Sequence, residues 1–243
     1  MKPLEVNSII PLYHQLKERL QELVDNGHWA PGEKIFSENQ LMDQFNVSRN
    51  TAKKAIEELV QEGTLYRTQG KGTFVAKPKM QQSLMGFYSF SKVLKEKGLN
   101  PKDIILKIEE VVPSHKVIEA LQLKKSESVI EIQRLRCANE EPYILESSFL
   151  PKRVVTDIDE LNKVGQVSLY DLLDQQFGVT VTRAKEAFEP VLIRPEESTY
   201  LETESGLPAL LLERIAYDGK DNPVEFCKSI VRGDRCRFYT ELT

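Results

Sequence analysis

Residues 37–75 constrain the fold of this chain more than any other stretch of its sequence. Apolar residues recur there at helical spacing in two short runs, and only Asn46 and Val47 separate the runs. Ser37 and Ser48 each stand directly before a run, where a serine oxygen accepts a hydrogen bond from the first turn of a helix. The stretch therefore predicts two helices joined by a sharp turn.

The second of these helices carries its polar groups at its first turns, and a hairpin follows it. In the hairpin, residues 65–75, two glycines flank Lys71, so no side chain keeps the backbone away from a phosphate. This combination is what a winged helix-turn-helix needs to read the major groove of DNA. We expect the DNA contacts to come from Ser37, Ser48, Arg49, Asn50, Thr51, Lys53, Lys54, Gln69, Gly70, Lys71 and Gly72.

The distribution of charge favours DNA binding by one part of the chain only. The whole sequence has a net charge of −4, which argues against a uniformly basic nucleic-acid coat. Residues 49–79 hold seven Lys or Arg against three acids, whereas residues 81–243 hold 22 Lys or Arg against 27 acids. A basic patch on an acidic body suits a protein that meets DNA with one face, although a local charge run is usually only solvated surface.

Four blocks in the basic region resemble the DNA-binding domain of the GntR family of bacterial transcription regulators. Their spacing matches that family over residues 37–38, 45–51, 59–63 and 70–75. Asn39 replaces a common arginine of the family, and residues 52–54 read Ala-Lys-Lys where Val-Arg-Gln is common. Because lysine is a point charge rather than a planar fork, the operator can differ from the one common in the family.

The sequence pattern changes after the hairpin. Residues 77–84 show no periodicity and contain a proline, which is typical of a linker. We expect a DNA-binding domain over residues 1–76 and a second domain over residues 85–243. Strands joined mainly by hairpins, with helices between them, predict an antiparallel α+β fold for the second domain. Residues 134–148 and 214–229 echo each other weakly, which fits either a duplicated hairpin with a site between the copies or chance.

Arg134 and Arg136 are the most informative pair in the second domain. Residues two apart in a strand point to the same face, and Ile130 and Ile132 share that face, so we expect it to face inward. A buried guanidinium needs a partner, because an isolated buried charge is very costly. Spacing leaves two alternatives open: internal ion pairs, for instance with Glu146 or Glu225, or an external anion such as a phosphate.

Residues 80–240 resemble the UTRA effector-binding domain of the HutC subfamily of GntR regulators, whose fold is similar to that of chorismate lyase. The matching pieces are residues 89–91, Arg134, Arg136, and residues 146–148, 168–171, 183–185 and 232–235. The likeness extends to regulators of N-acetylglucosamine use, which respond to phosphorylated amino sugars. An aromatic residue common before the Arg-Gly-Asp run is Val231 here, so a different sugar phosphate stays open.

The resemblance implies a role for each matching residue. The positions that would hold phosphate are Ser91, Arg134, Arg136, Ser168 and Tyr170. Those that would meet the sugar are Phe90, Glu146 and Glu225. The expected effector-binding set adds Ser89, Arg183 and Arg232, and the two added arginines have the alternative of only holding structure. Ser168 is also expected to cap a helix, a role compatible with phosphate binding.

The sequence shows no catalytic, metal-binding or phosphate-loop motif, so we expect no enzyme, metal or cofactor. A lyase-type enzyme with an accessory DNA-binding domain stays an alternative through fold likeness alone, which does not confer chemistry. A regulator that responds to a non-sugar carboxylate is another alternative.

Three cysteines without a C-x-x-C pattern fit a reducing cytoplasm. Neither a membrane-spanning apolar run nor a signal peptide is visible. We therefore expect a cytoplasmic, homodimeric repressor that binds palindromic operator DNA and releases it when a phosphorylated sugar binds.

Overall fold

The structure is a computed structural model that describes residues 4–5, 8–68, 70–77, 79–84, 90–124 and 126–241, without the side chain of Lys92. The chain divides into two compact units, Met1–Pro78 and Lys79–Thr243. The division falls inside the segment expected to be a linker. Within the described ranges, no helix has the length and apolar character needed to span a membrane.

The first unit is a winged helix-turn-helix. Three helices precede a two-stranded antiparallel hairpin: α1 (Leu12–Asp25), α2 (Glu38–Phe45), α3 (Arg49–Gln61), β1 (Leu65–Thr68) and β2 (Gly72–Val75). The Ser37 N–H donates to the Gln40 side-chain oxygen at 2.8 Å, and Ser37 Oγ accepts from the Gln40 N–H at 3.3 Å, which caps α2. Asn46 then turns the chain in the left-handed region, with φ of 49°. The predicted winged helix-turn-helix is therefore confirmed. It was predictable because these local features determine it.

Buried apolar side chains hold α3 in the first unit. Leu16 and Leu20 of α1 form one cluster with the apolar stripe of α3, and none of these residues is more than 1% exposed. The stripe consists of Ala52, Ala55, Ile56 and Leu59. Burying one leucine stabilises a fold by about 1.5–3 kcal/mol, so this packing fixes which face of α3 points outward.

The second unit is built on a six-stranded antiparallel sheet. Its elements in chain order are β3 (Met80–Ser83), α4 (Phe90–Glu96), β4 (Pro101–Val111), α5 (His115–Leu121), β5 (Val129–Ala138), β6 (Glu141–Pro151), a 3-10 helix (Asp159–Lys163), α6 (Leu169–Phe177), β7 (Val181–Leu192), α7 (Pro195–Tyr200), β8 (Pro208–Asp218), β9 (Pro223–Arg232) and β10 (Cys236–Tyr239). The sheet has the order β4-β5-β6-β9-β8-β7 with antiparallel neighbours throughout, which confirms the predicted α+β class. The two segments that echo each other are the hairpins β5–β6 and β8–β9, which pair through β6 and β9.

Residues 80–83, expected to belong to the linker, are a strand instead. β3 pairs in parallel with β10, from the other end of the unit, in a sheet of two strands. Met80 and Gln82 alternate inward and are 3% and 2% exposed. The segment Met-Gln-Gln-Ser has no strand-like composition, and only its distant partner makes it a strand.

One face of the large sheet carries the charged residues of the second unit. Arg134 of β5 lies opposite Glu146 of β6, which lies opposite Ser229 of β9. Directly opposite residues share a face of the sheet. Leu169 at the start of α6 belongs to the same apolar cluster as Ile132 of β5, so α6 packs on this face. The first turn of α6 is thereby placed beside the arginine pair.

Candidate DNA-binding surface and effector site

The N-terminal turn of α3 forms the candidate DNA-binding surface. Ser48 Oγ accepts from the Thr51 N–H at 3.2 Å and lies 2.8 Å from the Thr51 hydroxyl, which fixes the start of the helix. Arg49, Asn50 and Lys53 are exposed on the outward face. The structure therefore presents these residue types together at the first two turns, where a groove-reading helix carries them.

Several cationic side chains in and near this surface make ion pairs or ring contacts with neighbouring side chains. Glu38 Oε2 lies 3.5 Å from Arg49 Nε, and Glu38 Oε1 accepts from Arg67 at 3.3 Å. Lys54 Nζ lies 3.7 Å from the centre of the Tyr13 ring, a cation–π contact with α1. Sequence reasoning did not single out Glu38, Arg67 or Tyr13, because these contacts come from packing between separate elements.

The wing turns through two glycines with positive φ. Gly70 has φ of 72° and Gly72 has φ of 125°, conformations that side-chain-bearing residues rarely adopt. The Lys71 N–H donates to the Thr68 carbonyl oxygen at 3.0 Å and closes the turn, which leaves the Lys71 side chain exposed. Gln69, the remaining wing residue of the expected set, lies outside the described residues.

A small cavity on the charged face of the large sheet brings together most of the expected effector residues. It is lined by Phe90, Arg134, Arg136, Glu146, Ser168, Leu169, Tyr170, Arg214, Glu225 and Cys227. Both echoing hairpins contribute residues to this lining, and they are neighbours in the sheet through β6 and β9. Its volume is about 50 Å³. A water molecule needs roughly 10–15 Å³ of such space, so side chains fill the site almost completely.

Two arginines and two carboxylates form a buried cluster at one end of the cavity. Asp103 accepts from Arg134 at 3.3 Å and from Arg136 at 3.2 Å. Glu146 accepts from Arg136 at 3.3 Å and also from Arg134. Arg136 Nη2 donates to Ser91 Oγ at 3.4 Å, which brings in Ser91 from α4. Internal ion pairing, one of the two alternatives left open by the sequence, is therefore present.

Burial and neighbouring charges shift the pKa values of this cluster in opposite directions. Burial alone would raise the pKa of Glu146, but Arg134 and Arg136 outweigh it and lower that pKa to about 2. Burial alone would lower the pKa of Arg136, yet Glu146 and Asp103 raise it above its ordinary value. Glu146 and Arg136 are therefore held charged, because each has opposite charges within hydrogen-bonding distance.

A second polar group lies at the other end of the cavity. Tyr170 donates to Glu225 Oε2 at 2.6 Å, and Arg214 Nη1 lies 3.4 Å from the tyrosine hydroxyl. Arg214 Nε also donates to Glu186 at 2.7 Å. Burial, and then the neighbouring Glu225, raise the pKa of Tyr170 well above its ordinary value, so it stays a hydrogen-bond donor.

Ser168 caps the helix that closes the cavity. Its Oγ accepts from the Asp171 N–H at 3.1 Å and donates to the Asp171 carboxylate at 2.6 Å. Because Ser168, Leu169 and Tyr170 all line the cavity, the first turn of α6 faces it. The backbone N–H groups at a helix start carry partial positive charge and attract anions.

Two expected effector residues, Arg183 and Arg232, do not line the cavity. Arg183 is exposed, pairs with Asp221 at 2.7 Å and stacks on the Tyr217 ring. Arg232 is buried elsewhere, where it donates to the carbonyl oxygens of Pro142 and Leu201 at 3.1 Å each. The contacts of both arginines are with protein groups, which fits the structural alternative. Ser89, also in the expected set, lies outside the described residues.

Sequence reasoning missed two charged residues of this site. Arg214 stands in the echoing segment at the position that corresponds to Arg134, so the internal echo was a signal for it. Asp103 had no comparable signal, because only its pairing opposite Arg136 brings it to the cluster. Among the residues that the structure describes, no group of three or more His, Cys, Asp or Glu is placed to hold a metal ion.

Family models match both units of the chain. The model of bacterial regulatory proteins of the gntR family matches residues 12–75. The UTRA domain model matches residues 96–237, which is more than half of the chain. The two matches coincide with the helix-turn-helix and with the large sheet and its helices.

Curated and solved relatives agree with this division. The HTH-type transcriptional repressor NagR of Bacillus subtilis is 35% identical over 231 residues, covering 95% of this chain and 94% of NagR. The probable fructoselysine utilization operon transcriptional repressor of Escherichia coli is 31% identical, covering 92% and 91%. The crystal structure of PhnF from Mycobacterium smegmatis has a TM-score of 0.64 at 26% identity, covering 93% and 98%. The chain belongs to the GntR family of bacterial regulatory proteins, as a DNA-binding transcription regulator with a UTRA effector domain.

Proposed function

We propose that this regulator represses carbohydrate-utilisation genes in the cytoplasm and that a phosphorylated sugar, bound in the second unit, relieves the repression. The observation that carries the proposal is the buried pair Arg134 and Arg136 beside the first turn of α6. Guanidinium forks match the geometry of phosphate oxygens, and the helix start adds N–H donors. Among the described residues, buried Arg134 Nε has no hydrogen-bond partner, so one donor of the pair is left for an effector oxygen.

The proposed roles follow the chemistry of each wall. Phosphate is held by Ser91, Arg134, Arg136, Ser168 and Tyr170. The sugar is held by Phe90, Glu146 and Glu225, because carboxylates accept from sugar hydroxyls and an aromatic ring covers the apolar face of a sugar. The relatives named above include a repressor of fructoselysine utilization, a sugar derivative, which supports a carbohydrate effector.

Effector entry must rearrange the site. The arginines of the cavity already donate to carboxylates, namely Asp103, Glu146 and Glu186, and the cavity of about 50 Å³ is too small for a hexose phosphate. The phosphate therefore takes over arginine hydrogen bonds that carboxylates now make. Because a ligand shifts an equilibrium only through different affinities for two states, this exchange of partners is a suitable source of the shift.

The regulator is proposed to act as a homodimer on a palindromic operator. A groove of about 730 Å³ on the opposite face of the large sheet is lined by Val191, Leu211 and Ile230, among others. Leu192 and Tyr200, which also line it, are 62% and 43% exposed. A large exposed apolar surface commonly marks an interface. Light scattering of the full chain tests this assembly, and a monomer at micromolar concentration would contradict it.

The function is tested by DNA binding in the presence of candidate effectors. A duplex selected from a random pool by the full chain serves as the operator. Glucosamine 6-phosphate, N-acetylglucosamine 6-phosphate and glucose 6-phosphate are added in turn, beside the same sugars without phosphate and citrate as a non-sugar carboxylate. We expect at least one phosphorylated sugar to weaken the complex while its parent sugar does not. A complex insensitive to every phosphorylated sugar, or released by citrate alone, contradicts the proposal.

The same samples address catalysis. We propose that the site binds its effector without converting it. Recovery of the sugar phosphate unchanged after prolonged incubation is the expected result. Conversion in proportion to protein concentration would instead support the lyase-type alternative.

A further inference from the structure

A second, smaller cavity adjoins the effector cavity on the same face of the sheet. Five residues line both cavities: Phe90, Arg136, Glu146, Arg214 and Cys227. The walls found only in the second cavity include Gln82 of β3, Ser229 of β9 and Phe238 of β10. The two-stranded sheet that follows the unit boundary thus contributes to the lining of a cavity that shares five residues with the effector cavity.

Gln82 carries an unsatisfied hydrogen-bond donor in this wall. Its residue is 2% exposed, and its side-chain Nε2 has no hydrogen-bond partner among the described residues. By contrast, Ser229 Oγ donates to Glu146 at 3.2 Å, so the other neutral polar side chain of the wall is already engaged. A buried amide donor without an acceptor destabilises a fold, and it persists where a ligand supplies the acceptor.

We propose that the Gln82 amide binds an oxygen atom of the effector at the end remote from its phosphate, and thereby ties effector binding to β3. The inference rests on the function proposed above. The arginine cluster fixes the anionic end, and Arg136 lines both cavities, so the adjoining cavity beside Gln82 is placed to receive the remainder of the ligand. A hydroxyl or acyl oxygen placed there accepts from Nε2 and satisfies it.

The position of Gln82 makes this contact suitable for signalling. β3 begins at Met80, directly after the point where the second unit starts at Lys79. It is held by parallel pairing with β10 over only four residues, from Met80 to Ser83. A ligand that binds Gln82 therefore stabilises the first strand after the DNA-binding unit, which is where an effector signal must leave the second unit.

The test compares Gln82→Met with Gln81→Met in the full chain. Methionine has nearly the length of glutamine but no amide, and Gln81 is the exposed neighbour in the same strand. Binding of glucosamine 6-phosphate, N-acetylglucosamine 6-phosphate and inorganic phosphate is measured by calorimetry, and melting temperature is measured without ligand. For Gln82→Met we expect about tenfold weaker binding of the sugar phosphate, equal to about 1.4 kcal/mol, with the affinity for inorganic phosphate unchanged. Gln81→Met should match the wild type.

The melting temperature separates a ligand-binding role from a structural one. Because Nε2 has no partner among the described residues, Gln82→Met should melt at the same temperature as the wild type or higher, whereas loss of a structural hydrogen bond would lower it. Wild-type and Gln82→Met proteins that bind sugar phosphate equally would overturn this inference and leave the proposed function standing. A wild-type protein that binds no phosphorylated sugar, glucose 6-phosphate included, would overturn both.

Discussion

Asp103 and Arg136 lie directly opposite each other on the neighbouring strands β4 and β5, and the Asp103 carboxylate accepts from Arg136 Nε at 3.2 Å. The same carboxylate reaches Arg134 at 3.3 Å, and its side chain is only 7% exposed. Asp103 is therefore an internal anion that is hydrogen-bonded to the two guanidinium groups proposed to hold phosphate. An effector must compete with it.

Replacing Asp103 by asparagine should strengthen phosphate binding. The amide would keep the size of the side chain but lose the negative charge that holds the arginines and repels a phosphate. We expect the substitution Asp103→Asn to lower the Kd of the effector about tenfold, which corresponds to about 1.4 kcal/mol. Calorimetry on the full chain measures the change. Asp221→Asn, at an exposed carboxylate paired with Arg183, is the matched control and should have no effect. Weaker binding by Asp103→Asn would show that Asp103 orients the arginines instead.

The planar fork of Arg136 should matter more than its charge. Arg136→Lys keeps the charge but cannot contact Asp103, Glu146 and Ser91 in the observed geometry. We expect the effector Kd to rise by about ten- to a hundredfold, or about 1.4–2.8 kcal/mol, with DNA affinity in the absence of effector unchanged. The measurement is effector titration of a preformed DNA complex.

Arg183→Lys is the control for the Arg136 substitution. Its guanidinium is exposed and lies outside the cavity lining, so effector release of DNA should be unchanged. An Arg136→Lys protein that responds like the wild type would remove the arginine pair from the proposed site.

The parts of this structure that were predictable from sequence are those set by neighbours along the chain. Ser48 and Thr51 are three residues apart and define the start of α3 through their own hydrogen bonds. The alternation of Arg134 and Arg136 in β5 was likewise enough to place both on one inward face. In each case, the local geometry of one element decides the outcome.

The unpredicted parts depend on pairing between distant segments. Asp103 enters the site through its register opposite Arg136, and a shift of one residue would have turned it to the other face. Gln82 is buried because β3 pairs with β10 from the far end of the unit. Neither segment carries a sequence pattern that identifies its partner, so the strand at 80–83 and Asp103, one of the four residues of the arginine cluster, were missed.

Removing the charge at the tip of the wing should reduce the salt dependence of DNA binding. Lys71 is exposed between Gly70 and Gly72, where the backbone can approach a phosphate closely. Each neutralised phosphate contributes about one unit to the slope of log K against log salt. We expect Lys71→Ala to lower that slope by about one unit and to weaken binding to all sequences alike.

Arg19→Ala is the control for the wing, because Arg19 lies in α1 and pairs with Glu22 at 2.6 Å. Fluorescence anisotropy of a labelled duplex at several salt concentrations measures both variants. A slope for Lys71→Ala equal to that of the wild type would exclude a phosphate contact by this lysine.

Stability of the second unit should fall in acid because of Glu146. Arg134 and Arg136, acting against burial, lower its pKa from the ordinary 4.5 to about 2 in the folded state. A carboxylate with a lowered folded pKa binds fewer protons folded than unfolded, so its contribution is complete above the unfolded pKa near 4.5. That contribution is lost as the pH falls from about 4.5 toward 2.

Glu146→Gln isolates this contribution from those of the other carboxylates. At pH 7 the variant should be less stable by about 3 kcal/mol, because it breaks a buried ion pair. The difference between wild type and variant should then shrink as the pH falls below 4.5, since protonated Glu146 resembles glutamine. Circular dichroism follows both units, whereas the single tryptophan, Trp29, reports only on the first, so the two signals assign the change to the second unit. A difference in stability that stays constant from about pH 7 to about pH 2.5 would show that Glu146 is not held charged by the arginines.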